Sequence, residues 1–377
     1  MKRMACVPGA GVPVGNIDPY LVQNMTALSM PKDIPKWEIG LKVSFYIIAF
    51  LMDIVGNSLV ILIVFINKRM RTTTNFLLLN LAVSDIMVGC CCMWVHAGNS
   101  ITKEWPFGPY VCKVNTFMQV LAVTSSVLTL TAISVERFVA ILFPLKRRLT
   151  PLFAFIIIVT NWVLSVAIAS PHLVVRKQFE YFWADRHEIW CEEVWPQVYT
   201  NDCKMDMPGK TIYYTILSVV MFFIPIVVML FAYTLILVKL LIRKRPGTVI
   251  TVTKQAQDRS RKKVIRMLVA VLAVFIICWT PQQSFLLWDI YRDKSEKLQE
   301  YVLRTKYAAV YIAYFNSAIN PILYGGFNEN FRKGFNDAFH CILWRRRNTV
   351  APLLPGQAIN QANQGSVNTT PVGTSVV

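Results

Sequence analysis

Three groups of residues in this chain are of types that do chemistry together. Asp85 closes the run Asn80-Leu81-Ala82-Val83-Ser84-Asp85 inside a long apolar stretch, and Asn57, Ser126, Asn316, Ser317 and Asn320 fall at similar depth in three other apolar stretches. One buried carboxylate among hydroxyls and amides can coordinate a small hard cation such as sodium, and the same set can serve as a hydrogen-bonded packing network. Glu136-Arg137-Phe138 ends another apolar stretch. There, adjacent acid and base neutralise each other, and parting them frees Arg137 for a new partner. Trp190-Cys191-Glu192-Glu193-Val194-Trp195 lies between stretches. Acids flanked by aromatics suit a ligand bearing an arginine and an aromatic side chain, through charge-assisted bonds and cation–π contact, the plainer reading being a solvated acidic loop.

The chemistry of an enzyme is missing. The four histidines, His96, His172, His187 and His340, are scattered without ligand spacing, and no nucleophile stands in a recognisable constellation. The formal charge of +18 does not mark a nucleic-acid binder, because the Lys and Arg residues sit in short segments between apolar runs and not on a separable polar domain.

The elements that carry these groups follow from the solvent. With 55% hydrophobic residues in 377, the chain has more apolar surface than one soluble core can hide. A bilayer core takes about 20 apolar residues per helix. Seven stretches meet that length, at 41–66, 75–98, 110–142, 152–172, 211–242, 264–289 and 304–326. The expected fold is all-α membrane, a seven-transmembrane helix bundle with an amphipathic eighth helix. Its parts are an extracellular segment 1–40, the bundle 41–327, a membrane-surface helix 328–347 and a disordered cytoplasmic tail 348–377. Pro225, Pro281 and Pro321 each interrupt a spanning helix, next to Tyr233, Trp279, Asn320 and Tyr324, so the bundle reads as jointed. Seven spans without an internal repeat disfavour a transporter.

Orientation follows the basic bias: Lys68, Arg69 and Arg71, then Lys146, Arg147 and Arg148, then Arg243, Lys244, Arg245 and Arg261, Lys262, Lys263 mark the cytoplasmic loops. The other face carries acids such as Glu104, Glu180, Asp185 and Asp202. The N-terminus is therefore expected outside a plasma membrane, with Asn24 in the sequon Asn24-Met25-Thr26 open to glycosylation. Phe331, Gly334, Phe335, Ala338, Phe339 and Ile342 keep helical spacing beside basic residues, and Cys341 is a candidate for palmitoylation on the inner leaflet. Ser366, Thr369, Thr370, Thr374 and Ser375 could be phosphorylated for an arrestin to read, and Thr374-Ser375-Val376-Val377 fits a PDZ ligand. Cys203 has Cys6 as its one conceivable partner, and Asp53, one turn before Asn57, has no account in the sequence.

From residue 41 to 345 the chain resembles the rhodopsin-like, class A, G-protein-coupled receptors. The matches are Gly56-Asn57, Leu81-Ala82-Val83-Ser84-Asp85, Trp105-Pro106-Phe107-Gly108, Cys112 with Cys191, Glu136-Arg137-Phe138, Trp162, Pro225 with Tyr233, Phe275 with Cys278-Trp279-Thr280-Pro281, and Asn320-Pro321-Ile322-Leu323-Tyr324 followed by Phe331. The resemblance implies a disulfide between Cys112 and Cys191 and a cytoplasmic latch of Arg137 with Tyr233 and Tyr324. It also implies a rotating core of Phe275 and Trp279, a sodium site of Asp85, Ser126, Asn316 and Asn320, and a heterotrimeric G protein as partner. No other cofactor is implied. Two features depart from the family pattern: Phe138 replaces the usual tyrosine, and Arg261 begins the inner end of span six where some members carry an acid.

Within the family the resemblance points to a peptide. Gln119 stands where amine receptors carry an aspartate, and Tyr314 stands where an opsin needs a lysine. Gln119 is similar to what orexin, neuropeptide Y and RFamide receptors carry, and its amide can both donate to and accept from a C-terminal amide. The segment Arg261–Leu268 also resembles cholecystokinin and neuropeptide FF receptors, which leaves the subfamily open. The expected ligand is an amidated, arginine-bearing neuropeptide contacting Gln119, Glu192, Glu193, Trp195, Trp279, Gln283, Asp289 and Tyr314. A lipid or small-molecule ligand remains the alternative.

Overall fold

The computed structural model describes residues 34–102, 104–143, 150–182, 187–199, 205–242, 252–292, 300–329 and 331–338. Asn24, Cys6, Cys203, Cys341 and the tail 348–377, on which several expectations rest, lie outside them. Among the described residues there are seven long helices. These are α1 Lys36–Ile66, α2 Thr73–Ile101, α3 Gly108–Leu142, α4 Pro151–Val175, α5 from Pro208 to Ile242, α6 Val252–Tyr291 and α7 Glu300–Phe327. By length and composition, the first six are apolar enough to cross a membrane. The seventh is diluted by Arg304, Lys306, Asn316, Ser317 and Asn320 along its length.

Helix ends have local causes. Thr72 and Thr150 cap α2 and α4 by accepting from the backbone N–H of Asn75 and Phe153, which satisfies donors that a helix start leaves free. α1 begins at Lys36, five residues before the apolar run, because its charges find partners: Lys42 pairs with Glu38 at 2.9 Å one turn away, and Arg304 of α7 reaches the same carboxylate at 3.6 Å. α6 begins at Val252, well before the apolar run at 264. Two helices are not uniform. α2 contains a π turn at Gly89–Met93 and α5 one at Val219–Phe223, where the Ile224 N–H donates to the Val219 carbonyl five residues back.

The interior divides into an apolar layer and a polar seam. Leu77, Leu78, Leu81, Val127, Ile133, Met229, Ile236 and Phe275 form the larger cluster, and Tyr46, Val88, Met93 and Tyr314 belong to a second. Between α2, α3 and α4, Asn80 donates to Thr129 at 2.8 Å, Trp162 donates to Asn80 at 2.8 Å and Ser84 donates to Ser125 at 2.9 Å. Dispersion alone drives weak helix association in lipid, so such bonds fix which helices are neighbours. Beyond α7, residues 331–338 are helical; Phe331 is fully buried against Tyr324, with Lys333 and Arg332 exposed.

Between α4 and α5 the chain forms an antiparallel hairpin, β1 Arg176–Phe182 with β2 His187–Glu193, in the register Arg176 to Glu193 and Gln178 to Cys191. A shorter pair, β3 Val198–Tyr199 and β4 Met205–Asp206, follows it. The hairpin is joined to α3 by the Cys112–Cys191 disulfide, across 79 residues of chain. Ile189 adds a backbone bond from the Trp105 N–H at 2.8 Å.

Candidate functional site

Side chains from five helices pair across the bundle. His96 of α2 packs edge-on against Tyr314 of α7 at 5.2 Å between ring centres, and the Gln119 amide of α3 lies beside the Tyr314 hydroxyl. Trp279 of α6 sits above Phe275, with ring centres 6.3 Å apart, and Phe275 contacts Phe222 of the α5 π turn at 6.2 Å. Ser218 of α5 donates to Gln283 of α6 at 2.9 Å, which turns the Gln283 carbonyl toward α5. Among the described residues, His96 Nδ1, Asn115 Oδ1, Trp279 Nε1 and Gln282 Oε1 are buried with no hydrogen-bond partner. A buried polar atom without a partner costs about 1–3 kcal/mol. Unpaired polar atoms of this kind suit a polar ligand group that supplies the partners.

The acids at the mouth differ in what they are free to do. Glu193 is enclosed: Arg176 reaches it at 2.8 Å, Lys210 of α5 at 3.5 Å and Trp195 Nε1 at 3.3 Å, and the Tyr214 hydroxyl donates to it as well. Burial by itself pushes its pKa up, but Arg176, Lys210 and the Tyr214 hydroxyl outweigh that and hold it at about 2. Trp195 is buried against Tyr213, ring centres 5.3 Å apart. Glu193 and Trp195, expected as open ligand contacts, are thus engaged in pinning the hairpin to α5. Asp289 is held by Arg292 at 2.8 Å, and Arg292 in turn lies over the Trp288 ring at 5.5 Å. Glu192 is half-buried and carries no such pair; burial raises its pKa, partly offset by Lys210 and Arg176.

At mid-bundle, Asp85 is fully buried; Asn320 donates to its Oδ2 at 2.8 Å and Ser126 to its Oδ1 at 3.5 Å. Asn57 of α1 donates to the Ser317 carbonyl of α7 at 3.3 Å. That carbonyl is the one Pro321, lacking an N–H, leaves without its helical donor.

At the far end Arg137 is held within its own neighbourhood. Glu136 accepts from it at 2.7 Å, Thr74 of α2 bonds both Arg137 and Glu136, and Tyr233 is bonded instead to Ser134 at 2.5 Å. Among the described residues the buried Tyr324 hydroxyl has no partner, although Tyr233 and Tyr324 share the wall of one small apolar cavity with Leu130 and Met229. No bond among the described residues joins Arg137 to either tyrosine. Thr74, Ser134, Arg176, Lys210 and Tyr214 were not legible in the sequence because a lone hydroxyl or base gives no periodic signal on a helix or a strand.

With this geometry in place, comparison decides the family. The model of the 7 transmembrane receptor (rhodopsin family) matches residues 56–324. The chain belongs to that family. It is 35% identical over 310 residues to neuropeptide FF receptor 2 of Mus musculus, an overlap of 79% of this chain and 72% of that one. It is also 33% identical over 317 residues to a QRFP-like peptide receptor of Branchiostoma floridae, covering 82% and 78%. With the substance-P receptor of Homo sapiens it shares 30% over 310 residues, covering 81% and 72%. The chain is thus a multi-pass membrane receptor and not an enzyme.

Proposed function

We propose that the chain is a plasma-membrane receptor, N-terminus outside, for an amidated, arginine-bearing peptide, and that it passes the signal to a heterotrimeric G protein at the Arg137 end. The observation that carries this reading is the set of unpaired polar atoms on His96, Trp279 and Gln282, together with the Gln119–Tyr314 and Ser218–Gln283 pairs, in a bundle whose hairpin is covalently tethered to α3. The ligand's terminal amide fits between Gln119, His96 and Tyr314, and its aromatic side chain fits above Trp279 and beside Gln283. Its guanidinium has Glu192 available without displacement, whereas Asp289 becomes available by releasing Arg292 and Glu193 by releasing Arg176. The names of the similar receptors, which are peptide receptors, support the same class.

The buried oxygens of Asp85 and Ser126 fit a small hard cation, with Asn316 and Asn320 completing its surroundings; the ion would supply positive charge that offsets Asp85. Glycosylation at Asn24, palmitoylation at Cys341, and arrestin and PDZ binding by the tail complete the proposal.

The test is a panel of amidated peptides and their free acids on cells expressing the chain, reading calcium and cyclic AMP. An amidated peptide ending in arginine and an aromatic residue is expected to act, and its free acid to be about tenfold or more weaker, the cost of an ill-matched buried group. Equal potency of the two removes the amide pocket, and activation by lipids alone overturns the peptide reading.

A further inference from the structure

Asp53 of α1 is a carboxylate with no exposed surface. Its Oδ1 accepts from Asn57 Nδ2 at 2.7 Å, and the Asp53 backbone carbonyl accepts from the same nitrogen at 3.0 Å. That nitrogen also donates to the Ser317 carbonyl left free by Pro321, at 3.3 Å. A primary amide can present either its nitrogen or its oxygen to a neighbour. Asp53 Oδ1 takes the nitrogen as its donor, so the end facing α7 is the donor that the stranded carbonyl needs.

The carboxylate itself has a seat. A Cβ on Gly89 would lie 2.3 Å from Asp53 Oδ2, so only glycine at that position lets the carboxylate approach α2 so closely. Gly89 opens the π turn of α2. On the same helix α1, a Cβ on Gly56 would lie 2.7 Å from the Pro321 ring, which places α1 directly against the α7 hinge.

We propose that Asp53 is a positioning residue for receptor switching: through Asn57 it holds the backbone of α7 at the Pro321 hinge in its resting form. The reading rests on the receptor role of the family and adds a brace between α1, α2 and α7. Removing the carboxylate lets the Asn57 amide turn, weakens the tie to Ser317 and frees the hinge.

The test uses the full chain in membranes with purified G protein, measuring nucleotide exchange without ligand at matched receptor number. Asp53→Ala is expected to raise basal exchange about fivefold, the size of one buried hydrogen bond. Asp53→Asn, which keeps an acceptor oxygen, is expected to restore most of the resting level. Gly89→Ala displaces the carboxylate while leaving residue 53 unchanged, and is expected to raise basal exchange in the native background, with no further effect in an Asp53→Ala background. Adding Asp53→Ala to Asn57→Ala is likewise expected to change nothing more. Additive effects in either pair, or unchanged basal exchange with loss only of receptor number, overturn the proposal. If Asp53→Ala does not reach the membrane, the Gly89→Ala pair is read with Asp53→Ser, and the same two outcomes decide.

Discussion

Thr74 holds both members of the Glu136–Arg137 pair, and a single hydroxyl there bridges α2 to α3. Replacing it by valine keeps the shape and removes both bonds. Basal nucleotide exchange is expected to rise about three- to tenfold while ligand affinity changes little; unchanged basal exchange places the restraint on Arg137 elsewhere. Glu193 gives a prediction in pH. Its folded pKa of about 2 lies below the ordinary 4.5, so its contribution is full above about 4.5 and is lost as pH falls from there toward 2. Hydrogen exchange across 176–193 is expected to quicken in that window in the native receptor and to be fast already at neutral pH in Glu193→Gln. Identical exchange in the two shows that the hairpin is held by the disulfide alone. At this scale the sequence marked most of the residues but not their partners. Asp85, Arg137 and Trp279 stood out because charge or a large polar ring inside an apolar run is rare. That Glu193 faces Arg176 and Lys210 depends on a strand register and on the start of α5, neither of which a local pattern encodes.

The helices were legible because lipid demands long apolar runs, and their apolar bounds were read within a few residues for α2, α3, α4, α5 and α7. The misses have physical reasons. α1 starts early because Glu38, Lys42 and Arg304 satisfy one another across helices, which makes charged residues affordable in a helical turn. The π turns at Gly89–Met93 and Val219–Phe223 left no trace because one inserted residue does not disturb periodicity in a stretch that is apolar on all faces. Both turns carry function in this account: one seats Asp53 and the other brings Phe222 to Phe275. The polar layer they flank gives a further expectation. Sodium is expected to lower agonist affinity in membranes, and Asp85→Asn to abolish that dependence. A sodium response that survives Asp85→Asn assigns the layer to packing alone.

Across the whole molecule, ties hold three levels, and all but the disulfide satisfy a buried or half-buried polar group with a partner that helix movement would remove. The hairpin end is tied to α3 by Cys112–Cys191 and to α5 by Glu193; the middle is tied by Asn57 to Ser317 and by Asn320 to Asp85; the far end is tied by Thr74 to Arg137. On the proposed reading, a ligand that supplies partners to the unpaired atoms of His96, Trp279 and Gln282 would change the balance at one end, and the packed Trp279 and Phe275 would carry the change inward along α6. The most direct measurement is nucleotide exchange on a purified heterotrimeric G protein by the purified receptor in lipid discs, with and without an amidated arginine-bearing peptide. The peptide is expected to accelerate exchange in the native receptor and to do so far less with Arg137→Ala. Exchange that no peptide in the panel alters, in a receptor that is folded and loaded in the discs, contradicts the account.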